Sequence, residues 1–326
     1  MSRFIFPSYL ALLFCLPLPF AAVYVWGWAF FAGISCSLLL VQLLSGSRAS
    51  RSQGSAFYSA FSFSLPSYSF PVLLPLCFVA LLIGAQWLFA LYSALVFGAS
   101  FGLRHELYLD FLQSVGLCSF FVLTLLLLNT RSRITAAIWV VILAGGFQAV
   151  YGSLMVMTGL ELGFFSKKWA YLGKATGTFV NRNHLAGYLE MALALGIGFL
   201  LASSTRYYGD WQQRLRQFID MLLSPKVIMR LILAIMVIGL VMTRSRMGNS
   251  AFFASLMIAG GLALLLMKNK SRSTTILLSS LLIIDIAIVG MFFGVEKVAE
   301  RLQGSSIEKE SRDEVSRDTF NMWLDN

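Results

Sequence analysis

Charged side chains are scarce in this sequence: Asp, Glu, Lys and Arg together make up 12% of its 326 residues, whereas hydrophobic residues make up 58%. A soluble domain carries about twice that share of charged residues. The composition therefore excludes an ordinary soluble globular domain. It predicts an all-α, polytopic integral membrane protein, in which apolar helices pack against lipid and against each other.

The sequence also lacks the short motifs of several enzyme classes. It contains no GxxxxGKS phosphate loop and no HExxH or CxxC metal pattern. Nucleotide hydrolysis and zinc chemistry therefore have no motif support, and no cofactor or metal is expected. Four cysteines lie within apolar runs and are interpreted as small hydrophobic residues: Cys15, Cys36, Cys77 and Cys118.

Apolar runs of roughly 17–24 residues recur along the chain, and each is long enough to cross a bilayer. About nine spans are predicted on this length rule. They cover residues 8–25, 27–44, 68–84, 108–128, 134–157, 184–202, 227–243, 249–267 and 274–294. Residues 45–67 are predicted to form a flexible inner loop, and residues 85–107 an outer loop.

The distribution of basic residues predicts the orientation. With the N-terminus on the cytoplasmic side, every inner loop is basic, as the positive-inside rule requires. An excess of basic residues then remains on the outer side, against that rule, and this excess predicts an anionic ligand there rather than nucleic acid. These residues are Arg104, Lys167, Lys168, Lys174, Arg182, Arg244 and Arg246.

The C-terminal segment differs from the rest. From Val295 onward it contains eight acidic and five basic residues, although the whole chain has a net charge of +10. Apolar residues recur there at seven- and eight-residue spacing, which predicts a short amphipathic helix at the outer surface. The sequence stops at Asn326 without a further span, and we expect it to be truncated at its C-terminus.

Residues Thr176–Leu189, with the sequence TGTFVNRNHLAGYL, place a polar cluster at the start of an apolar helix. One interpretation is structural: Asn181 and Asn183 cap the helix and Arg182 reaches the head groups. The other is functional: the free N–H groups of a helix N-terminus suit a phosphate, and Arg182 adds a bidentate donor. His184 is a candidate acid or base near neutral pH.

A second cluster, Thr243-Arg244-Ser245-Arg246, lies between two predicted spans. It is interpreted either as a hairpin with two arginines at the interface or as a site for a diphosphate. The lysines at 167, 168 and 174 are likewise interpreted either as solvated charges or as a surface that captures an anionic substrate.

The stretch GTFVNRNHLAGYL, followed some sixty residues later by TRSRMGN at the start of a span, resembles the O-antigen ligase/polymerase family of bacterial envelope enzymes. The resemblance covers roughly residues 135–326, which are treated as an incomplete family-like core after an N-terminal helical region at 1–134. It implies a multi-span glycosyltransferase of lipopolysaccharide biosynthesis in the bacterial inner membrane. The glycan would move from an undecaprenyl-diphosphate carrier to a lipid A core, a growing glycan or a protein.

The resemblance also implies roles for particular residues. Arg182, Arg244 and Arg246 match arginines expected to face the diphosphate, and Arg317 matches an arginine that opens a large outer loop. Together with the reasoning from the residues themselves, Arg244 and His184 are the catalytic candidates. The other substrate-binding candidates from that reasoning are Lys174, Asn181, Asn183 and Arg301. Two alternatives stay open: a transporter or flippase of lipid-linked sugars, and a non-catalytic membrane protein.

Overall fold

A computed structural model describes residues 2–51, 70–97, 101–163, 167–202, 225–266 and 311–324. In these ranges the chain is almost entirely helical and contains no strand, only an isolated bridge between Leu162 and Lys167. The all-α fold expected from composition is thus confirmed for this part of the chain. The protein divides into two compact units, Met1–Phe252 and Phe253–Asn326.

The described helices are α1 (Ser2–Cys15), α2 (Val25–Arg51), α3 (Phe70–Phe97), α4 (Phe101–Leu127), α5 (Arg131–Thr158), α6 (Arg182–Ala202), α7 (Pro225–Met242), α8 (Arg246–Leu266) and α9 (Ser311–Leu324). Five of them, α2 to α6, contain stretches long and apolar enough to cross a membrane. Shorter apolar stretches lie in α1 and α7. These helices indicate a membrane protein, while the count of nine spans and the orientation stay predictions.

The first predicted span, residues 8–25, is not one continuous helix. α1 ends at Cys15, and a 3₁₀ turn at Phe20–Ala22 precedes α2. Pro17 and Pro19 cannot donate main-chain hydrogen bonds, so the helical ladder fails there. The three residues of the 3₁₀ turn have φ between 52° and 54°, which is outside the right-handed helical region. The prediction of a span over 8–25 is therefore wrong in this detail.

Two segments predicted to be loops are helical where they are described. α2 continues to Arg51, and the described residues of the segment 85–107, which are 85–97 and 101–107, belong to the end of α3 and the start of α4. Trp87 of α3 stacks on Phe111 of α4, with ring centroids 5.9 Å apart. Packing between neighbouring helices therefore outweighs the local polarity that indicated a loop. The predicted span 274–294 and the remainder of the 45–67 loop lie outside the described residues.

The most deeply buried core lies where α5, α6 and α7 pack together. Ile142, Leu193, Met236 and Leu240, one or two from each helix, are fully buried. Small residues permit the close approach: a Cβ added at Gly145 of α5 would lie 2.9 Å from Cε of Met236. Because lipid tails are as apolar as these side chains, close van der Waals packing, rather than transfer out of water, stabilises such contacts within a bilayer.

Three connecting segments meet at one end of these helices, and we call their described residues the loop end: residues 16–24, residues 159–163 with 167–181, and residues 243–245. The Oγ1 of Thr178 donates to the carbonyl of Pro17 at 2.7 Å, and the N–H of Ala175 donates to the carbonyl of Met242 at 2.9 Å. The loop end thus gathers most of the basic residues that the orientation argument places on the outer side.

Candidate anion-binding site

α6 begins at the loop end with an asparagine cap. The N–H of Asn183 donates to Oδ1 of Asn181 at 2.8 Å, and the N–H of His184 donates to the carbonyl of Asn181 at 3.1 Å. Asn181 therefore satisfies donors that a helix start leaves free. Asn183 and His184 are exposed in the first turn. The structural interpretation of Asn181 as a helix cap is confirmed.

The second cluster forms the turn between α7 and α8. The N–H of Ser245 donates to Oγ1 of Thr243 at 3.1 Å, and Oγ of Ser245 accepts from the N–H of Gly248 at 3.2 Å, so Ser245 caps α8. Arg244, between them, has φ of 53°, in the left-handed region. This conformation lets the chain reverse within three residues, and the side chains of Arg244 and Arg246 are left exposed.

Arg182 joins the two clusters, although they lie about sixty residues apart in the sequence. Its Nη1 donates to the carbonyl of Arg244 at 2.8 Å, and its guanidinium lies 5.8 Å from the centroid of the Tyr171 ring. Its Nε is buried and finds no acceptor among the described residues. A cationic donor is therefore held beside two helix N-termini with hydrogen-bonding capacity left over.

A buried glutamine of α5 holds the segment that leads into α6. Gln148 is fully buried, and its Nε2 donates to Oγ1 of Thr178 at 2.8 Å while its Oε1 accepts from the N–H of Thr178 at 2.9 Å. Gly177 has φ of 56°, and a Cβ there would meet the Gln148 side chain. Gln148 is not among the residues predicted from the sequence, although an isolated amide in an apolar helix indicates a hydrogen-bond partner.

Lys168 has a structural role, which corrects both interpretations of this residue, as a solvated charge and as a capture group. Its Nζ lies 2.7 Å from a carboxylate oxygen of Glu161 and also donates to the carbonyls of Tyr171 and Lys174. Its side chain is only 7% exposed. Because this charge is already neutralised and directed inward, it cannot attract a substrate. Lys174 contributes its main chain to the same arrangement.

The ion pair makes the contacts among Glu161, Lys168 and Gly173 sensitive to acid. Burial alone raises the pKa of Glu161, but hydrogen bonds from Lys168 and the Gly173 N–H, with the charge of Lys168, lower that pKa below its ordinary value. When the ion pair breaks and the segment opens, the Glu161 carboxylate returns to its ordinary, higher pKa. It therefore binds a proton more readily in the open segment than in the closed, ion-paired one. Stability is complete above the ordinary carboxyl pKa and is lost as pH falls through the lower pKa of the closed segment. We expect the Gly173 amide to lose hydrogen-exchange protection over that window, after correction for intrinsic exchange.

A lysine pair provides the matched variants for this measurement. Lys168→Met is expected to reduce protection of the Gly173 amide about tenfold at neutral pH, because losing one member of a mostly buried ion pair costs about 1–2 kcal/mol after allowance for partial exposure. In this variant the protection of the Gly173 amide should also depend less on pH in the acidic range. Lys167→Met alters an exposed neighbour and should change neither. Protection in the wild type that stays constant into the acidic range contradicts the prediction.

An acidic residue of α6 faces the start of α8, and the sequence argument did not single it out. A Cβ added at Gly248 would lie 2.9 Å from Oε1 of Glu190 and 2.7 Å from Cβ of Ala186, so Gly248 allows the two helices to touch. Oε1 of Glu190 and Oδ1 of Asn249 are buried and have no hydrogen-bond partner among the described residues. The closeness of Glu190 to the start of α8 follows from the packing of α8 against α6, which the sequence alone does not show.

The remaining predicted residues are Arg246, Arg317 and Arg301. Arg246 is exposed in the first turn of α8, directly after the turn that holds Arg244, and Arg317 is exposed on α9, which belongs to the second unit. Arg301 lies outside the described residues. In the part of the chain that the structure describes, no group of three or more His, Cys, Asp or Glu side chains is arranged to hold a metal ion.

Comparison with known proteins leaves the site to be interpreted from its own geometry. No protein-family model, no curated protein and no solved structure matches the chain. The O-antigen ligase/polymerase family therefore remains a resemblance, carried by residues 177–189 and 243–249. What the geometry adds is that Arg182 brings these two stretches into contact.

Proposed function

We propose that the chain is a membrane glycosyltransferase of the O-antigen ligase/polymerase type in the bacterial inner membrane, with its N-terminus in the cytoplasm. It transfers a glycan from an undecaprenyl-diphosphate carrier at the outer face. The acceptor is a lipid A core, a growing glycan or a protein. The motif resemblance supports this proposal, and the geometry around Arg182 is consistent with it.

The contact between Arg182 and the carbonyl of Arg244 is the observation that carries the proposal. It unites two helix N-termini, the buried Nε of Arg182 and the exposed side chains of Arg244 and Arg246 at the loop end. Helix N-termini and guanidinium groups both favour phosphate oxygens. Together they match an anion with two phosphates better than one with a single carboxylate.

These groups have a direct role in the proposed transfer. When the bond between the glycan and the carrier breaks, negative charge accumulates on the departing diphosphate. Arginines already in place stabilise that charge as it develops. His184, in the first turn of α6, is the acid–base candidate on this chain, and Asn181 and Asn183 position the start of the helix.

The test is binding of undecaprenyl diphosphate to the purified full chain in nanodiscs, followed by native mass spectrometry. Arg244→Ala is expected to weaken binding about tenfold or more, because a charge-assisted hydrogen bond contributes about 1.5–3 kcal/mol. Arg182→Lys keeps the charge but removes the planar donor pair, so it too should weaken binding.

Arg131→Ala is the control, since this exposed arginine starts α5 at the end opposite the loop end. Equal affinity for Arg244→Ala, Arg131→Ala and the wild type in folded protein would refute a diphosphate site. Binding followed by movement of the intact lipid-linked glycan across the membrane, without transfer to an acceptor, would favour the transporter alternative.

A further inference from the structure

α5 carries an exposed apolar stripe that ends at the loop end. Its members recur at intervals of three or four residues and therefore lie on one helix face. They are Leu143, Phe147, Val150, Leu154 and Met157. The helix has 28 residues, a length of about 42 Å at 1.5 Å per residue, whereas the hydrocarbon core is about 30 Å thick. The last turns of α5 therefore extend to the level of the lipid head groups.

The segment that follows α5 continues this apolar surface. Four large side chains there are exposed: Leu160 by 61%, Leu162 by 50%, Trp169 by 77% and Leu172 by 59%. We call these four residues the interfacial patch. In water, so many exposed apolar side chains within a short segment are unfavourable and mark a contact surface.

The backbone that carries the patch is held in place on both sides. The hydroxyl of Tyr151 in α5 donates to the carbonyl of Leu162 at 3.0 Å, and a β-bridge pairs Leu162 with Lys167. Lys168 turns inward to Glu161, while Trp169 beside it points outward. The hydrogen bond, the β-bridge and the ion pair therefore fix the backbone in a conformation that directs these apolar side chains outward.

We propose that the interfacial patch inserts into the head-group region of the bilayer beside α5. Two observations favour lipid over a protein partner. The patch follows the stripe of an apolar helix long enough to span a membrane, and it contains a tryptophan, a residue type enriched at membrane interfaces. Lys167, exposed next to it, is suited to contact anionic lipid phosphates.

Insertion has a consequence for the site, and this step alone rests on the proposed function. Tyr171, between Trp169 and Leu172, packs against the guanidinium of Arg182. An inserted patch therefore holds Arg182 at the depth of lipid phosphates. The site then selects a diphosphate attached to a membrane-borne tail over a soluble nucleotide diphosphate of similar charge.

The fluorescence of Trp169 tests the insertion. The full chain is placed in phosphatidylglycerol-containing nanodiscs, and the signal of Trp169 is obtained as the difference between wild type and Trp169→Phe, because the chain has seven tryptophans. We expect lipids brominated near the head group to quench this signal more strongly than lipids brominated at the acyl ends. Aqueous acrylamide should quench it weakly.

A charge introduced into the interfacial patch should weaken its insertion into the bilayer. Leu172→Asp is expected to reduce quenching by brominated lipid about twofold, because a carboxylate resists transfer into the interface. Leu172→Val keeps the apolar surface and should retain the quenching. A Trp169 signal that is open to acrylamide and unaffected by brominated lipid overturns the proposal, as does shielding that appears only when a protein partner is added.

The same nanodiscs separate the two proposals. Insertion of Trp169 without binding of undecaprenyl diphosphate refutes the proposed function and leaves the interfacial patch supported. Binding of undecaprenyl diphosphate with Trp169 in water refutes the interfacial patch and leaves the proposed function supported.

Discussion

Gln148→Leu is expected to lower the free energy of unfolding by about 2–4 kcal/mol, because it strands a buried donor and removes two hydrogen bonds. Leucine fills nearly the same volume, so packing is largely kept. The N–H of Thr178, which donates to Oε1 of Gln148 at 2.9 Å, is left without an acceptor in a buried position. Thermal unfolding in detergent or nanodiscs measures the loss.

The same variant should also weaken diphosphate binding. Thr178 precedes Asn181 and Arg182 by a few residues, and its Oγ1 donates to the carbonyl of Pro17. Releasing it loosens the approach to α6 and shifts Arg182 relative to the Arg244 carbonyl. Because this shift acts on geometry, binding should decline even well below the unfolding temperature.

A matched glutamine serves as the control for this prediction. Gln113, on α4, is exposed, so Gln113→Leu should leave both stability and diphosphate binding close to the wild type. The double variant Gln148→Leu/Thr178→Val should lose less than the sum of the two single variants, since both side chains belong to one network. If the losses of the two single variants add up to that of the double variant, the side chains of Gln148 and Thr178 do not stabilise each other.

Gly239→Ala is expected to lower the free energy of unfolding by about 2–3 kcal/mol, although alanine is the better helix former. Gly239 of α7 touches α5 so closely that a new Cβ would lie 2.6 Å from Cβ and 2.8 Å from Cα of Ala149. The Cα belongs to the backbone of a helix and cannot rotate away. The helices must separate, and the tight α5–α7 contact in the core is lost.

Gly198→Ala is the matched control, with an effect of opposite sign. Gly198 lies on α6 with no atom within 4 Å of an added Cβ. Alanine there should stabilise the protein by up to about 1 kcal/mol through helix propensity alone. Thermal unfolding of the two variants side by side gives the result. Equal shifts in the same direction would mean that the α5–α7 contact is looser than described.

Local patterns in the sequence predict much of the helical structure. The apolar runs locate most of the helices, and an asparagine before an apolar run predicts the α6 cap at Asn181. The failures have physical reasons. The break after Cys15 depends on two prolines and a left-handed turn whose stability comes from tertiary contacts. The helical segment around Trp87 depends on stacking against Phe111, a partner in the next helix.

The candidate site was only partly predictable. Arg182 and Arg244 were singled out as charges on one side of the membrane, but nothing local in the sequence shows that one donates to the carbonyl of the other. Lys168 looks like its neighbour Lys167 in the sequence, yet it is buried because the chain brings Glu161 against it. Such contacts depend on how the loop folds back on itself, and the spacing of residues in the sequence does not predict that path.

The hydrogen bond from Arg182 is accepted by the main-chain carbonyl of Arg244, not by its side chain. The backbone and the side chain of position 244 therefore have separate roles. The backbone there, in its left-handed conformation, supplies the acceptor that joins the clusters, whereas the side chain supplies charge. Substitution can therefore remove the charge without dismantling the junction, and glycine or asparagine suits this backbone better than arginine does. The positive charge of Arg244 is thus a property that the junction itself does not require.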